Sequence, residues 1–121
     1  MILITGGSYQ GKLDYARERF GLKEEDICIG GVDFKKRCIA YVDRYALDCV
    51  KAGCEPIDAF LADPDAWAGI VIITTDISSG VVPVDDTLRS WREACGRLNC
   101  YLAGQAEEVW RLFCGIPQRL K

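Results

Sequence analysis

The stretch Gly6-Gly7-Ser8-Tyr9-Gln10-Gly11-Lys12 has the residue types and spacing needed to hold a phosphate group. Glycines let successive backbone N–H groups curl around phosphate oxygens with no β-carbon in the way, and a lysine at the start of a helix adds positive charge. The candidate ligand-binding residues are therefore Gly6, Gly7, Ser8, Tyr9, Gln10, Gly11, Lys12 and Leu13, and Lys12 is also a candidate catalytic cation. In such loops the residue after the lysine offers a hydroxyl to Mg²⁺. Here it is Leu13, which cannot ligate a hard cation, so no metal ligand is assigned and the use of Mg²⁺ stays open. The same residues also suit a tight strand-to-helix turn, with Lys12 solvated and Leu13 in the core. A second candidate is Asp76, which follows an apolar run and could accept a proton beside a bound phosphate or simply cap the loop after it.

Such a loop works only where a strand delivers it and a helix leaves it. Met1 to Thr5 is a short apolar run entering the glycines, and Leu13 to Phe20 has helical character closed by Gly21, so the segment fits the G-x-x-x-x-G-K part of a P-loop. Asp26 to Gly30 is a second candidate strand. From Phe34 to Ala52, the residues Cys38, Tyr41, Val42, Tyr45, Ala46 and Cys49 recur at spacings of three and four, which predicts one helix. Glu55 to Ala62 suits a short helix broken by Asp63-Pro64-Asp65. Gly69 to Thr75 is the clearest strand, because a continuous β-branched run suits a parallel strand covered on both faces. A loop follows from Ile77 to Pro83. Asp85 is a plausible N-cap for a helix striped by Leu88, Trp91, Cys95, Leu98 and Leu102, after which Glu108 to Cys114 reads as a strand and Gly115 to Lys121 as a tail. Strands alternating with helices predict an α/β fold with a mostly parallel sheet, in which the strands Met1 to Thr5 and Ile70 to Thr75 lie adjacent or nearly so.

Composition narrows the chemistry. At 121 residues, half of them apolar, the chain suits a single domain over residues 1–121. A net charge of −3 gives no electrostatic footprint for nucleic acid. No apolar run is long enough to span a bilayer and no signal-peptide pattern opens the chain, so a soluble, cytoplasmic protein without a membrane partner is expected. Seven cysteines, an odd number without a C-x-x-C pair, argue against a disulfide scaffold and suit small buried hydrophobes in a reducing compartment. The absence of histidine excludes a mixed Cys/His zinc site, a Ser-His-Asp triad and a phosphohistidine within these residues.

Three later segments carry a resemblance. TDISSGVVP from Thr75 to Pro83, WREACGRLNCYLAGQAEEV from Trp91 to Val109 and GIPQRLK from Gly115 to Lys121 are similar to NEVGxGIVP, FRDxAGRxNQxLAxxADEV and GxPxxLK. Those are signatures of the adenosylcobinamide kinase/adenosylcobinamide-phosphate guanylyltransferase family, in that family's order, and ILITGGSYQGK resembles its opening strand and P-loop. The resemblance implies a P-loop NTPase-like three-layer fold with helices on both faces of the sheet. It also implies ATP or GTP as a ligand, a corrinoid as a partner, a place in cobalamin biosynthesis and a homo-oligomer. Arg97 and Asn99 match the GRxN of the family, where they would fix a loop or a subunit contact. The family's histidine-bearing RPxxW region and its DCLT strand find no counterpart. A shortened, degenerate member is therefore expected, binding a nucleotide or phosphate with kinase activity weak or lost and guanylyltransferase activity absent. A non-enzymatic structural or regulatory protein that keeps only the fold is the alternative.

Overall fold

The computed structural model describes residues 1–78 and 84–121. Its strands are β1 (Ile2–Gly6), β2 (Ile27–Ile29), β3 (Cys38–Ala40), β4 (Val71–Ile73), β5 (Glu108–Phe113) and β6 (Ile116–Arg119); its helices are α1 (Lys12–Phe20), α2 (Val42–Lys51), α3 (Asp58–Ala62) and α4 (Asp86–Gln105). The strands form one sheet in the order β2-β3-β4-β1-β5-β6, parallel throughout except for β6, which pairs antiparallel with β5. β1 and β4 are direct neighbours, with Ile2, Leu3 and Ile4 opposite Val71, Ile72 and Ile73.

Alternate side chains of the central strands enter separate cores, as the two-residue period of a strand requires. Leu3, Ile39, Ile72 and Val109 pack on one face with Val42 of α2, Phe60 of α3 and Leu98 and Leu102 of α4. Ile4, Cys38, Ala40, Ile73 and Leu112 pack on the other with Ala16 and Leu13 of α1. The result is a three-layer, P-loop NTPase-like α/β fold. Asp85 caps α4 by accepting a bond from the Leu88 N–H at 3.0 Å, and Gly21 closes α1 in the left-handed conformation. In α4 the apolar stripe sinks progressively. Leu88 is 40% exposed, Trp91 is half-buried, and Cys95, Leu98 and Leu102 are buried.

Three expectations are corrected. Phe34 to Ala52 is not one helix, because Cys38, Ile39 and Ala40 form β3 between β2 and β4, fully buried, and helix begins only at Val42. A strand buried on both faces carries no alternation, so the spacing of three and four across Cys38, Tyr41 and Val42 was coincidental and sheet pairing prevails over it. Nor is Gly115 to Lys121 only a tail. Cys114 and Gly115, with φ of 52° and 75°, turn the chain back so that Phe113 faces Ile116 and β6 closes that edge of the sheet. The short helix starts at Asp58 rather than Glu55, and the break after it contains a 3₁₀ turn at Pro64–Trp67. Of the expected loop from Ile77 to Pro83, residues 79–83 lie outside the described residues. No helix among the described residues is long and apolar enough to cross a membrane.

Candidate functional site

The carboxyl ends of β1, β3 and β4 converge on a cleft of about 530 Å³ lined by Ser8 to Asp14, Tyr41, Asp43, Arg44, Thr75, Ile77 and Trp91. One wall is the glycine loop. At Gly6, φ is 146° and a β-carbon would stand 2.5 Å from the Leu112 carbonyl oxygen, so the chain can leave β1 in this direction only at glycine. Gly11, left-handed at φ 86°, opens α1. The first N–H groups of a helix lack intrahelical partners, and those of Gly11, Lys12 and Leu13 donate to no protein group among the described residues.

Lys12 is 4% exposed, and its Nζ donates to the Gly7 carbonyl at 2.6 Å, folding the lysine across the loop. Burial holds its pKa below the usual lysine range, and the nearby Asp43 carboxylate opposes that shift. Lys12 is therefore not a solvated helix residue. Leu13 packs against the core beneath α1 and presents no oxygen to the cleft.

Asp43 is the residue that sequence reasoning missed. It is 6% exposed in the first turn of α2. Its Oδ1 accepts the Thr75 N–H at 2.9 Å, and its own carbonyl accepts the Trp91 Nε1–H at 2.7 Å. One aspartate thus joins the end of β4, the start of α2 and α4 at the floor of the cleft. An acidic residue directly after the short apolar run Cys38 to Val42 was the available signal, hidden by the expectation of a continuous helix.

The structure places Asp76 differently. Its Oδ1 accepts both the N–H of Ser78 at 2.9 Å and the Ser78 hydroxyl at 2.6 Å, and those two bonds hold its carboxyl below the usual range, with Arg111 and Arg92 adding to the effect. Its backbone N–H donates to the Gly6 carbonyl, so Asp76 closes the turn after β4; among the described residues its neighbours Thr75 and Ile77 line the cleft and Asp76 is not one of the lining residues. Arg97 makes a bidentate pair with Glu55 at 3.0 and 3.1 Å, and Asn99 Oδ1 accepts the Thr74 hydroxyl at 3.0 Å. Both anchor α4 to neighbouring elements.

Gln10, expected as a ligand contact, lines the cleft and also ties the loop to another element. Its Oε1 accepts the Cys114 N–H at 2.6 Å and its carbonyl accepts the Gly115 N–H at 3.0 Å, tying the glycine loop to the β5–β6 turn. Gln10→Ala should therefore loosen the loop at a stability cost of about 1 kcal/mol and, on the phosphate-binding reading proposed below, weaken inorganic phosphate roughly fivefold. Calorimetric titration beside thermal melting checks this, and an unchanged affinity would remove the positioning role.

Leu13, directly after Lys12, offers no side-chain oxygen to Mg²⁺, so the residue type a hard cation takes at that position is missing. Among the described residues no group of three acidic, cysteine or histidine side chains suited to a metal occurs.

A mostly parallel sheet with a lysine-bearing glycine loop between β1 and α1 defines an α/β protein of the P-loop class. The family model for cobinamide kinase / cobinamide phosphate guanyltransferase matches residues 43–120, and the chain belongs to that family. The match begins at Asp43 and leaves the glycine loop outside it. Among curated proteins, the bifunctional adenosylcobalamin biosynthesis proteins CobU of Salmonella typhimurium and Escherichia coli are each 37% identical over 54 residues. That stretch is 45% of this chain and only 30% of the length of either relative.

Proposed function

We propose that the chain binds a purine nucleotide, ATP or GTP, or another phosphorylated small molecule in the cleft between the glycine loop and α2, and serves cobalamin biosynthesis with a corrinoid as the second partner. The observation that carries this reading is Lys12, buried across a loop whose helix-opening N–H groups have no protein partner among the described residues. A buried ammonium beside unpaired donors is an arrangement that a phosphate dianion relieves. Kinase turnover is weak or lost, since Leu13 withholds the oxygen that would help neutralise the transferred phosphoryl group. Guanylyl transfer through a histidine has no nucleophile in these 121 residues. If a proton acceptor operates here, Asp43 is better placed than Asp76, because it lines the cleft.

Calorimetry with ATP and GTP, with and without Mg²⁺, tests the reading. Lys12→Ala should cut affinity between about tenfold and a hundredfold, the worth of a charge-assisted hydrogen bond. Mg²⁺ should change the wild-type affinity little. Absence of any Lys12-dependent binding would sink the nucleotide reading, and rapid Mg²⁺-dependent phosphorylation of adenosylcobinamide would overturn the claim of weakened catalysis.

A further inference from the structure

The wall of the cleft opposite the glycine loop contains a second cation that the phosphate-binding reading does not use. Arg44 stands in the first turn of α2, next to Asp43, and lines the same cleft as Lys12. Its guanidinium carbon lies 4.5 Å from the centroid of the Tyr41 ring. Cation–π stacking at this distance steers a long, flexible side chain into one orientation. Its stem also runs past Gly30, where an added β-carbon would come within 3.9 Å of the Arg44 Cβ and Cδ.

Tyr41 itself is held in the left-handed region at φ 61°, an uncommon conformation for a bulky aromatic residue. Such backbone strain concentrates at ligand clamps. It sets the ring at the mouth of the cleft, between the end of β3 and the start of α2. Arg44 is exposed and forms no ion pair among the described residues, whereas Lys12 is already turned onto the Gly7 carbonyl. The two cations therefore face the cleft from different walls, one buried and one open.

We propose that Arg44, oriented by stacking on Tyr41, is the contact for a second anionic group, so that the cleft selects a polyphosphate ligand over a single phosphate. The inference rests on the phosphate-binding reading and adds the residue that would favour its polyphosphate ligands over a single phosphate. A phosphate in the glycine loop meets Lys12 and the start of α1. The next phosphates of a chain extend across the cleft to the guanidinium, whose planar fork of donors matches phosphate oxygens, and to the start of α2.

The test uses the full chain and three probes, inorganic phosphate, tripolyphosphate and ATP, titrated by calorimetry into the wild type, Lys12→Ala, Arg44→Gln, Arg44→Lys and Tyr41→Leu. Thermal melts confirm that each variant is folded. Arg44→Gln should weaken tripolyphosphate and ATP about tenfold while inorganic phosphate changes by less than about twofold. Arg44→Lys should recover only part of the loss, and Tyr41→Leu should weaken the polyphosphates about threefold by releasing the guanidinium. Lys12→Ala should weaken all three probes. If Arg44→Gln weakens the three probes equally, or none of them, Arg44 does not select polyphosphates. In that case Lys12-dependent phosphate binding would still uphold the underlying reading, whereas a wild type that binds no probe would overturn both.

Discussion

Gly6→Ala should be among the most damaging single-methyl changes this chain can suffer, lowering stability by about 4 kcal/mol, or roughly 15 °C in Tm. Two costs coincide at this position. The added carbon would sit 2.5 Å from the Leu112 carbonyl oxygen, a backbone atom of β5 that is fixed by the strand's pairing with β1 and cannot swing aside. The φ of 146° is also one that residues with a β-carbon rarely adopt. Gly7 supplies the control. An added carbon there would meet only the flexible Gln10 Cγ at 3.7 Å, in ordinary van der Waals contact, so Gly7→Ala should cost less than about 1 kcal/mol. Denaturant titration of both variants decides the matter. Equal destabilisation would show that the loop as a whole, rather than the close approach of Gly6 to its β5 neighbour Leu112, sets the sensitivity.

The elements that sequence made legible are those whose local signals agree with their tertiary surroundings. The run Gly69 to Thr75 is β-branched because β4 is covered on both faces, and the Asp85 cap and stripe of α4 are visible because that helix buries one side. The glycine loop was readable because its spacing expresses the turn it must make. β3 was not readable. Its three residues are fully buried and continue directly into an amphipathic helix, so periodicity spread the helix backward over them. β6 was hidden for the opposite reason. All four of its residues are exposed, leaving no pattern, and what makes it a strand is the Cys114-Gly115 turn and pairing with β5.

The candidate site divides along the same line. Lys12 and its glycines were marked by motif. Asp43 became visible only once β3 was recognised, since a residue inside a supposed helix gave no hint of standing at a strand end beside the loop. The role of Asp76 was partly legible in Asp76-Ile77-Ser78, because an aspartate two residues before a serine readily closes a local turn. The attachment of Gln10 to Cys114 spans 104 positions in sequence, and no local rule reaches that far.

Asp43 is where the fold and the cleft depend on a single side chain, and Asp43→Ala should cost about 3 kcal/mol, whereas Asp43→Asn should cost about 1 kcal/mol. Alanine removes the acceptor of the buried Thr75 N–H and the negative charge that offsets the burial of Lys12. Asparagine keeps an acceptor oxygen for the Thr75 N–H and loses only the charge. No ion pair joins Asp43 and Lys12 within 4.0 Å among the described residues, so their interaction acts through the field of the cleft and falls short of a contact. That arrangement fixes the sign of the binding effect. A carboxylate on the floor of the cleft repels an incoming phosphate, and its neutralisation in Asp43→Asn should tighten inorganic phosphate about threefold at neutral pH, a gain that fades as salt screens the field. Melting curves for the two variants, with phosphate titrations at low and high ionic strength, read both effects. Equal destabilisation by alanine and asparagine would show that charge, rather than the bond to Thr75, is what Asp43 supplies to the fold. Weakened phosphate binding in Asp43→Asn would show that its carboxylate holds the Lys12 side of the cleft in its binding geometry.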